Sequence, residues 1–403
     1  MKQIQWNLRE LFEGDNDPAL EKERQRTEKK SYRFINKWKD RADYLEAPAV
    51  LRQALDEYEM WSRDCGTDGN EGYYFWLRTQ QDQNSPELKA RSNQVEDFSR
   101  TIQNDIQFFQ LRIAKIPSEQ QEKFLDDNRL REYKHFLERI FAESKYLLSE
   151  PEEKILNMKS STSYSNWIKM TSGFLAKEQK TVLLEDGSKG SKNISELSSL
   201  LDSKNRKVRD SAAKALNTIF DKYVEVAEAE LNSVLANKKT DDELRGIPRP
   251  DLSRHISDDI GSEIVDALID TVSGRFSIAH GFYELKAKLL GLKKLKYHER
   301  NIEYGDIIKK YPYKTSLKLV DKVFNRLDPE FCEILSMFIK DGRFDVYPRK
   351  GKGSGAFCAH HLISQPTYIL LNHTDKLNDV LTLAHELGHG INNELIRKNQ
   401  NAL

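Results

Sequence analysis

Cysteine is nearly absent from this 403-residue sequence: Cys65, Cys332 and Cys358 are odd in number and far apart. That spacing excludes a disulfide framework and a CxxC metal motif, and a reducing cytoplasm is the expected location. Glycine and proline are also sparse, at 19 and 11, which is low for a β-rich or loop-rich fold. No stretch approaches the roughly 18 apolar residues that a spanning helix needs. The opening Met1-Lys2-Gln3-Ile4-Gln5-Trp6 has neither the apolar core nor the cleavage site of a secretory leader. Net charge is missing as well. Lys+Arg and Asp+Glu both number 64, so neither nucleic acid nor membrane is expected as a partner.

What is present is charge and helical period. Charged residues make up 32% of the chain and mean hydropathy is −0.72, as expected of long helices with one solvated face. The fold class is therefore read as mainly α. Val95, Phe98, Ile102, Ile106, Phe109 and Ile113 recur at steps of three and four and line one helix face. Pro117 ends that run. Ser118 with Gln121 and Ser149 with Glu152 have capping-box spacing, Pro151 being tolerated in a first turn. Ile260, Ile264, Leu268 and Val272 mark a further amphipathic helix, and each such stripe is expected to pack into a core.

Two regions break the pattern. Thr181 to Glu185, followed by Asp186-Gly187-Ser188-Lys189-Gly190, reads as a strand and turn. It divides the chain into an N-terminal helical domain, 1–185, and a second domain, 186–403. Phe344 to Tyr347, Gly355 to Ala359 and Thr367 to Leu371 then read as short strands separated by turns at Gly351 to Ser354 and at Pro366. The glycine-rich turn lacks GxxxxGK[ST] spacing and leads into a strand, so a phosphate loop is disfavoured against a tight turn entering an edge strand. Such an edge can pair with an extended peptide.

From about Thr374 the helical period returns, with Leu377, Val380, Leu381, Ala384, Gly388, Ile391 and Leu395 on one broad face. Within it lies His385-Glu386-Leu387-Gly388-His389. Four residues are just over one turn, so the two imidazoles project from nearly one side and can grip one zinc. Glu386 is turned about 100° away and is placed to act as general base. Gly388 leaves room for another backbone to approach. The third and sixth residues after His389 are Asn392 and Leu395, which excludes the metzincin continuation. Glu394 falls on the opposite side of the helix, so the third ligand a catalytic zinc needs must come from elsewhere.

Three segments together resemble oligoendopeptidase F, of the thimet oligopeptidase family of zinc metallopeptidases. They are Tyr347-Pro348-Arg349-Lys350-Gly351-Lys352-Gly353-Ser354-Gly355-Ala356-Phe357-Cys358, Tyr368-Ile369-Leu370-Leu371-Asn372, and Thr382-Leu383-Ala384-His385-Glu386-Leu387-Gly388-His389. Trp6-Asn7-Leu8, Leu148 to Leu156 and Arg206-Lys207-Val208-Arg209 are similar more loosely. The resemblance implies a multi-helical zinc oligopeptidase fold with a small sheet beside the HExxH helix. Its two halves wall a channel in which short unfolded peptides are cut at an internal bond. It implies one zinc per complete active site, held by His385 and His389, with Glu386 as base. Gly353, Ser354, Gly355 and Ala356 would lie along the substrate backbone.

The family's third ligand, a glutamate, comes about two dozen residues after the second histidine. Only 14 residues (403 − 389) follow His389 here. The expectation is therefore an N-terminal portion with the C-terminal part absent, inactive alone, whose partners are short peptides and the missing portion as a separate chain. Two other readings stay open: a helical scaffold with a relic HExxH helix, which would bind no stoichiometric zinc, and a related helical zinc carboxypeptidase, which would trim peptide C-termini.

Overall fold

The computed structural model describes residues 4–305 and 309–403; Met1 to Gln3, part of the leader reading, lie outside them. It is 67% helical, with two small sheets. No helix among the described residues is long and apolar enough to cross a membrane.

The helices Ala19–Trp38, Pro48–Asp64 and Pro86–Ile106 pack around an aromatic core, and Gly69–Gln81 places Tyr73, Tyr74 and Phe75 in a second one with Trp6 and Tyr368. Pro48 and Pro86 each sit in a first turn, where a missing N–H costs nothing, and Ser85 caps the second of these by accepting from the Leu88 N–H. Phe34 and Phe109 meet edge to face at 5.1 Å. The buried indole N–H groups are satisfied: Trp61 donates to Ser31 at 2.9 Å and Trp38 to Glu57 at 3.0 Å. The apolar stripe from Val95 to Ile113 is buried, but by two helices, because the chain turns at Gln107 between Pro86–Ile106 and Phe108–Ala114. The capping box at Ser118 does not form. Pro117 occupies the cap position, and Gln121 instead donates to the Ile116 carbonyl at 2.9 Å. At Ser149 half of the device is present, with the Ser149 N–H donating to Glu152 at 2.8 Å.

Strands β1 (Gln179–Leu183) and β2 (Lys189–Asn193) form the expected hairpin, turned at Gly187 with φ +80°. The second sheet contains β3 (Phe344–Asp345), β4 (Phe357–Ala359) and β5 (Tyr368–Leu370) in the order β3-β5-β4. β3 runs parallel to β5 and β4 antiparallel, which leaves β4 on an edge. Trp6 closes one face of this sheet, packing on Tyr368 and donating its indole N–H to the Ile369 carbonyl at 2.9 Å. The other face takes the histidine helix, Leu377–Asn399, through Leu383, Leu387 and Ile391.

That packing corrects three expectations. Leu381 is not on the buried face; it is 62% exposed, because the sheet selects the neighbouring stripe through Leu383 and Leu387. A Cβ on Gly388 would meet nothing within 4 Å, whereas one on Gly390 would meet the Phe338 ring at 3.0 Å. Close approach is thus needed at Gly390. The third correction concerns the stripe Ile260, Ile264, Leu268 and Val272. Helix Ser262–Ser273 forms, yet these side chains are 38%, 56%, 64% and 49% exposed, so no core among the described residues receives them.

Candidate metal centre

The histidine helix is fixed at its start by Asp379, whose carboxylate accepts from the N–H groups of Thr374 and Lys376 at 2.7 and 2.9 Å. One and a half turns on, His385 and His389 emerge on the exposed side. Their rings stand edge to face with centroids 4.8 Å apart, and their Nε2 atoms are 3.2 Å apart. Two nitrogens at zinc-ligand distance from one tetrahedral ion are about 3.3 Å apart, so the pair fits a shared ion. When none is bound, one ring N–H can donate across this distance to the other ring's lone pair.

Glu386 lies on the other side of the ridge, only 8% exposed, between the helix and β4. Its carboxylate makes no hydrogen bond to another described residue. Cys358 of β4 is its neighbour in charge. Burial first, then the charges of Glu386 and Glu394, push that thiol up to about 12. Glu394 is buried on this same sheet side and pairs with Arg397 at 3.4 Å. Among the described residues the three-ligand cluster that geometry offers is Asp210, His298 and Glu299. Its carboxylates are already engaged by Lys296 and Arg209. The His385–His389 pair belongs to no such trio.

The glycine-rich turn is held from beneath. Lys352 is buried, and its Nζ lies 2.8 Å from Asp345 and bonds the Tyr347 carbonyl at 3.0 Å. Burial pushes Lys352 down to about 8, with Asp345 opposing. Asn372 donates to the carbonyls of Gly353 at 2.9 Å and Gly355 at 2.7 Å, and the Gly353 N–H donates to the Gln80 carbonyl at 2.9 Å. Gly353 is therefore buried with both backbone groups taken, and a lysine locked inward cannot serve a phosphate loop. Ser354, Gly355 and Ala356 face out instead. They line a cavity of about 460 Å³ together with Ser195, Asn372 and Thr382 of the histidine helix. Asp345, Lys352 and Asn372 had no assigned role in the sequence. The available signal was a lone acid inside the apolar run Phe344-Asp345-Val346, since a charge there must find a buried partner.

A helical body, a three-stranded sheet with a free edge, and an HExxH helix laid against that sheet define a metallopeptidase-type fold. The chain belongs to peptidase family M3: that family's model matches residues 199–403, and the Oligopeptidase F model matches 112–174. It is 23% identical over 407 residues to an oligoendopeptidase F homolog of Lactococcus lactis subsp. lactis, covering 99% of this chain and 65% of the relative. It is 24% identical to oligopeptidase PepF of Bacillus subtilis, covering 98% and 58%. The crystal structure of PZ peptidase A with an inhibitor superimposes with a TM-score of 0.70 at 18% identity, covering 91% of this chain and 62% of that one. The chain thus spans less than two thirds of the length of these relatives.

Proposed function

We propose that this chain forms the substrate-strand side and two-histidine part of a zinc-dependent endopeptidase that cuts internal bonds of short unfolded peptides. The observation that carries the reading is the 3.2 Å separation of the His385 and His389 Nε2 atoms on one helix face. Family membership and the names of the relatives support it.

In this reading His385 and His389 hold the ion through Nε2. A bound zinc acidifies water and polarises the scissile carbonyl. The Glu386 carboxylate, which makes no hydrogen bond to another described residue, accepts the proton of the attacking water and returns it to the leaving amine. An extended peptide adds to the open edge of β4, its backbone running past Ser354, Gly355 and Ala356. Asn372 keeps that turn in one conformation, which lowers the entropy cost of binding. The described residues offer the ion two ligands where catalytic sites use three, and with that donor set alone zinc is expected to be held weakly and peptides to be left uncut. Residues 1–185 form the helical wall and 186–403 the catalytic portion. Free Cys65, Cys332 and Cys358 support a cytoplasmic setting.

The test is a chimera in which this chain replaces the matched part of the Lactococcus lactis relative. It should cleave a quenched-fluorescent peptide internally and lose activity to a chelator. Its Glu386→Gln form should keep zinc and lose turnover. A folded chimera that carries zinc and leaves the peptide whole would contradict the proposal, and trimming from the peptide's C-terminus would favour the carboxypeptidase reading.

A further inference from the structure

Beyond Ala359 the edge strand β4 continues into His360 and His361, and both line a cavity of about 460 Å³ at the opposite end of the strand from Ser354. That volume is in the range of a small-ligand pocket, roughly 300–1,000 Å³. Helix Gly69–Gln81 supplies one wall with Gly72, Tyr73 and Trp76, and Pro86–Ile106 another with Val95, Ser99 and Gln103. Gly72 and Trp76 are four apart, as are Val95, Ser99 and Gln103, so each set shares one helix face. The first wall is aromatic. Tyr73 lies nearly parallel to two neighbours, Trp76 at 6.4 Å and 11° and His361 at 6.1 Å and 23°. Trp76 also packs on Phe357 of β4 at 5.5 Å, which ties the wall to the strand. Yet Trp76 is 41% exposed, and its indole N–H donates to no described residue. His361 is set by Asp68, whose carboxylate accepts from Nε2 at 2.9 Å. A Cβ on Gly72 would meet that carboxylate at 2.1 Å, so the glycine leaves the space that the Asp68–His361 pair needs. The Asp68 bond holds His361 above its ordinary range although burial opposes it, which favours a flat cation at one end of an aromatic wall.

We propose that this cavity is a specificity subsite for an aromatic side chain of the peptide, two or three residues from the cut bond, with Trp76 as the residue that selects it. The inference rests on the reading of β4 as the strand that receives substrate. Cys358 is the β4 residue beside Glu386, so the cut falls near its level. A peptide paired with β4 advances about 3.3 Å per residue, and it reaches the level of His360 and His361 two or three residues later. The charges select the class of side chain. Asp68 and Glu96 in the lining oppose an acidic group, and Arg100 and His361 oppose a basic one. A neutral ring instead meets Trp76 and the apolar Val95 without burying a charge. The open indole N–H of Trp76 can bond a peptide carbonyl beside that ring.

The experiment measures, by fluorescence anisotropy, the binding of fluorescein-labelled alanine–glycine octapeptides to the full 403-residue chain. One central residue is phenylalanine, glutamate, lysine or alanine. Phenylalanine should tighten binding by about 10-fold or more over alanine, and glutamate and lysine should not. Trp76→Ala should bring that ratio to about one, and Trp76→Phe should retain most of it. Gln103→Trp places a ring in the cavity from an exposed position and should abolish the ratio with circular dichroism unchanged. In the active chimera, mass spectrometry of the products should find the cut two or three residues from the phenylalanine. Equal binding of the phenylalanine and alanine peptides would overturn the proposal and leave the peptidase reading standing. So would a preference that survives both Trp76→Ala and Gln103→Trp, tighter binding of the glutamate or lysine peptide, or cuts immediately beside the ring. If no peptide of the set binds, the reading of β4 as the substrate strand fails and the subsite fails with it.

Discussion

Alanine at Gly388 and alanine at Gly390, two positions apart in one helix, should change its stability in opposite directions. In a helix interior glycine is about 0.8–1.0 kcal/mol worse than alanine. At Gly388 an added Cβ meets nothing within 4 Å, so the propensity gain stands alone and Gly388→Ala should stabilise by about 1 kcal/mol. At Gly390 the Cβ would sit 3.0 and 3.3 Å from the Phe338 ring and 3.5 Å from Ile369. Phe338 and Ile369 are fully buried, and Phe338 leans on Phe344 with ring centroids 6.0 Å apart, so the ring has no room to retreat. Overpacking of this kind costs about 1–3 kcal/mol, which exceeds the propensity gain over most of its range. Gly390→Ala should therefore destabilise, by up to about 2 kcal/mol. Hydrogen exchange of the amides from Leu383 to Leu395 reads this locally, without assuming that so large a chain unfolds in one step. Exchange should slow about five-fold in Gly388→Ala and quicken by up to about 30-fold in Gly390→Ala. Slower exchange in both variants would refute the close packing of this helix on the sheet.

Further tests follow from the turn beneath the site. Lys352→Met removes one of the two cations on buried Asp345, Arg349 remaining at 2.6 Å, and should cost about 1.5–3 kcal/mol in urea unfolding. Burial would raise the Asp345 pKa, but bonds from Arg349 and the charge of Lys352 outweigh it and hold it below 3.8. Its contribution is thus complete above that value and lost as pH falls below it. Asp345→Asn should accordingly flatten the acid limb of the stability curve, and an unchanged limb would contradict the pairing. Asn372→Ala frees the Gly353 and Gly355 carbonyls and should quicken exchange at 353–357 while leaving the histidine helix unchanged. In the active chimera Glu386→Gln should lower turnover by about 10²–10⁴-fold with zinc content intact.

The histidine pair was legible because four-residue spacing on a helix permits only one outcome, side chains on one face. The three strands of the second sheet were legible from their apolar residues and flanking turns. The buried side of the histidine helix was not. Leu377, Val380, Leu381, Leu383, Ala384 and Leu387 are apolar nearly all round, so periodicity has two solutions and only the sheet beneath chooses Leu383 and Leu387. The same ambiguity assigned the close approach to Gly388 instead of Gly390. Ser118 and Gln121 have the right spacing for a cap, but the extended backbone of Pro117, ψ 139°, takes the position first. Ile264 and Leu268 show that period predicts an apolar face and says nothing about which polypeptide covers it.

The central claim, that His385 and His389 share one ion, is tested most directly by calorimetric titration of zinc into the full chain at neutral pH. The account predicts one ion per chain, bound weakly enough to be removed by dialysis. That ion should be lost in His385→Ala and in His389→Ala, and kept in Glu386→Gln and in Glu394→Gln. Undiminished binding in His389→Ala, or loss of the ion in Glu386→Gln, would contradict it.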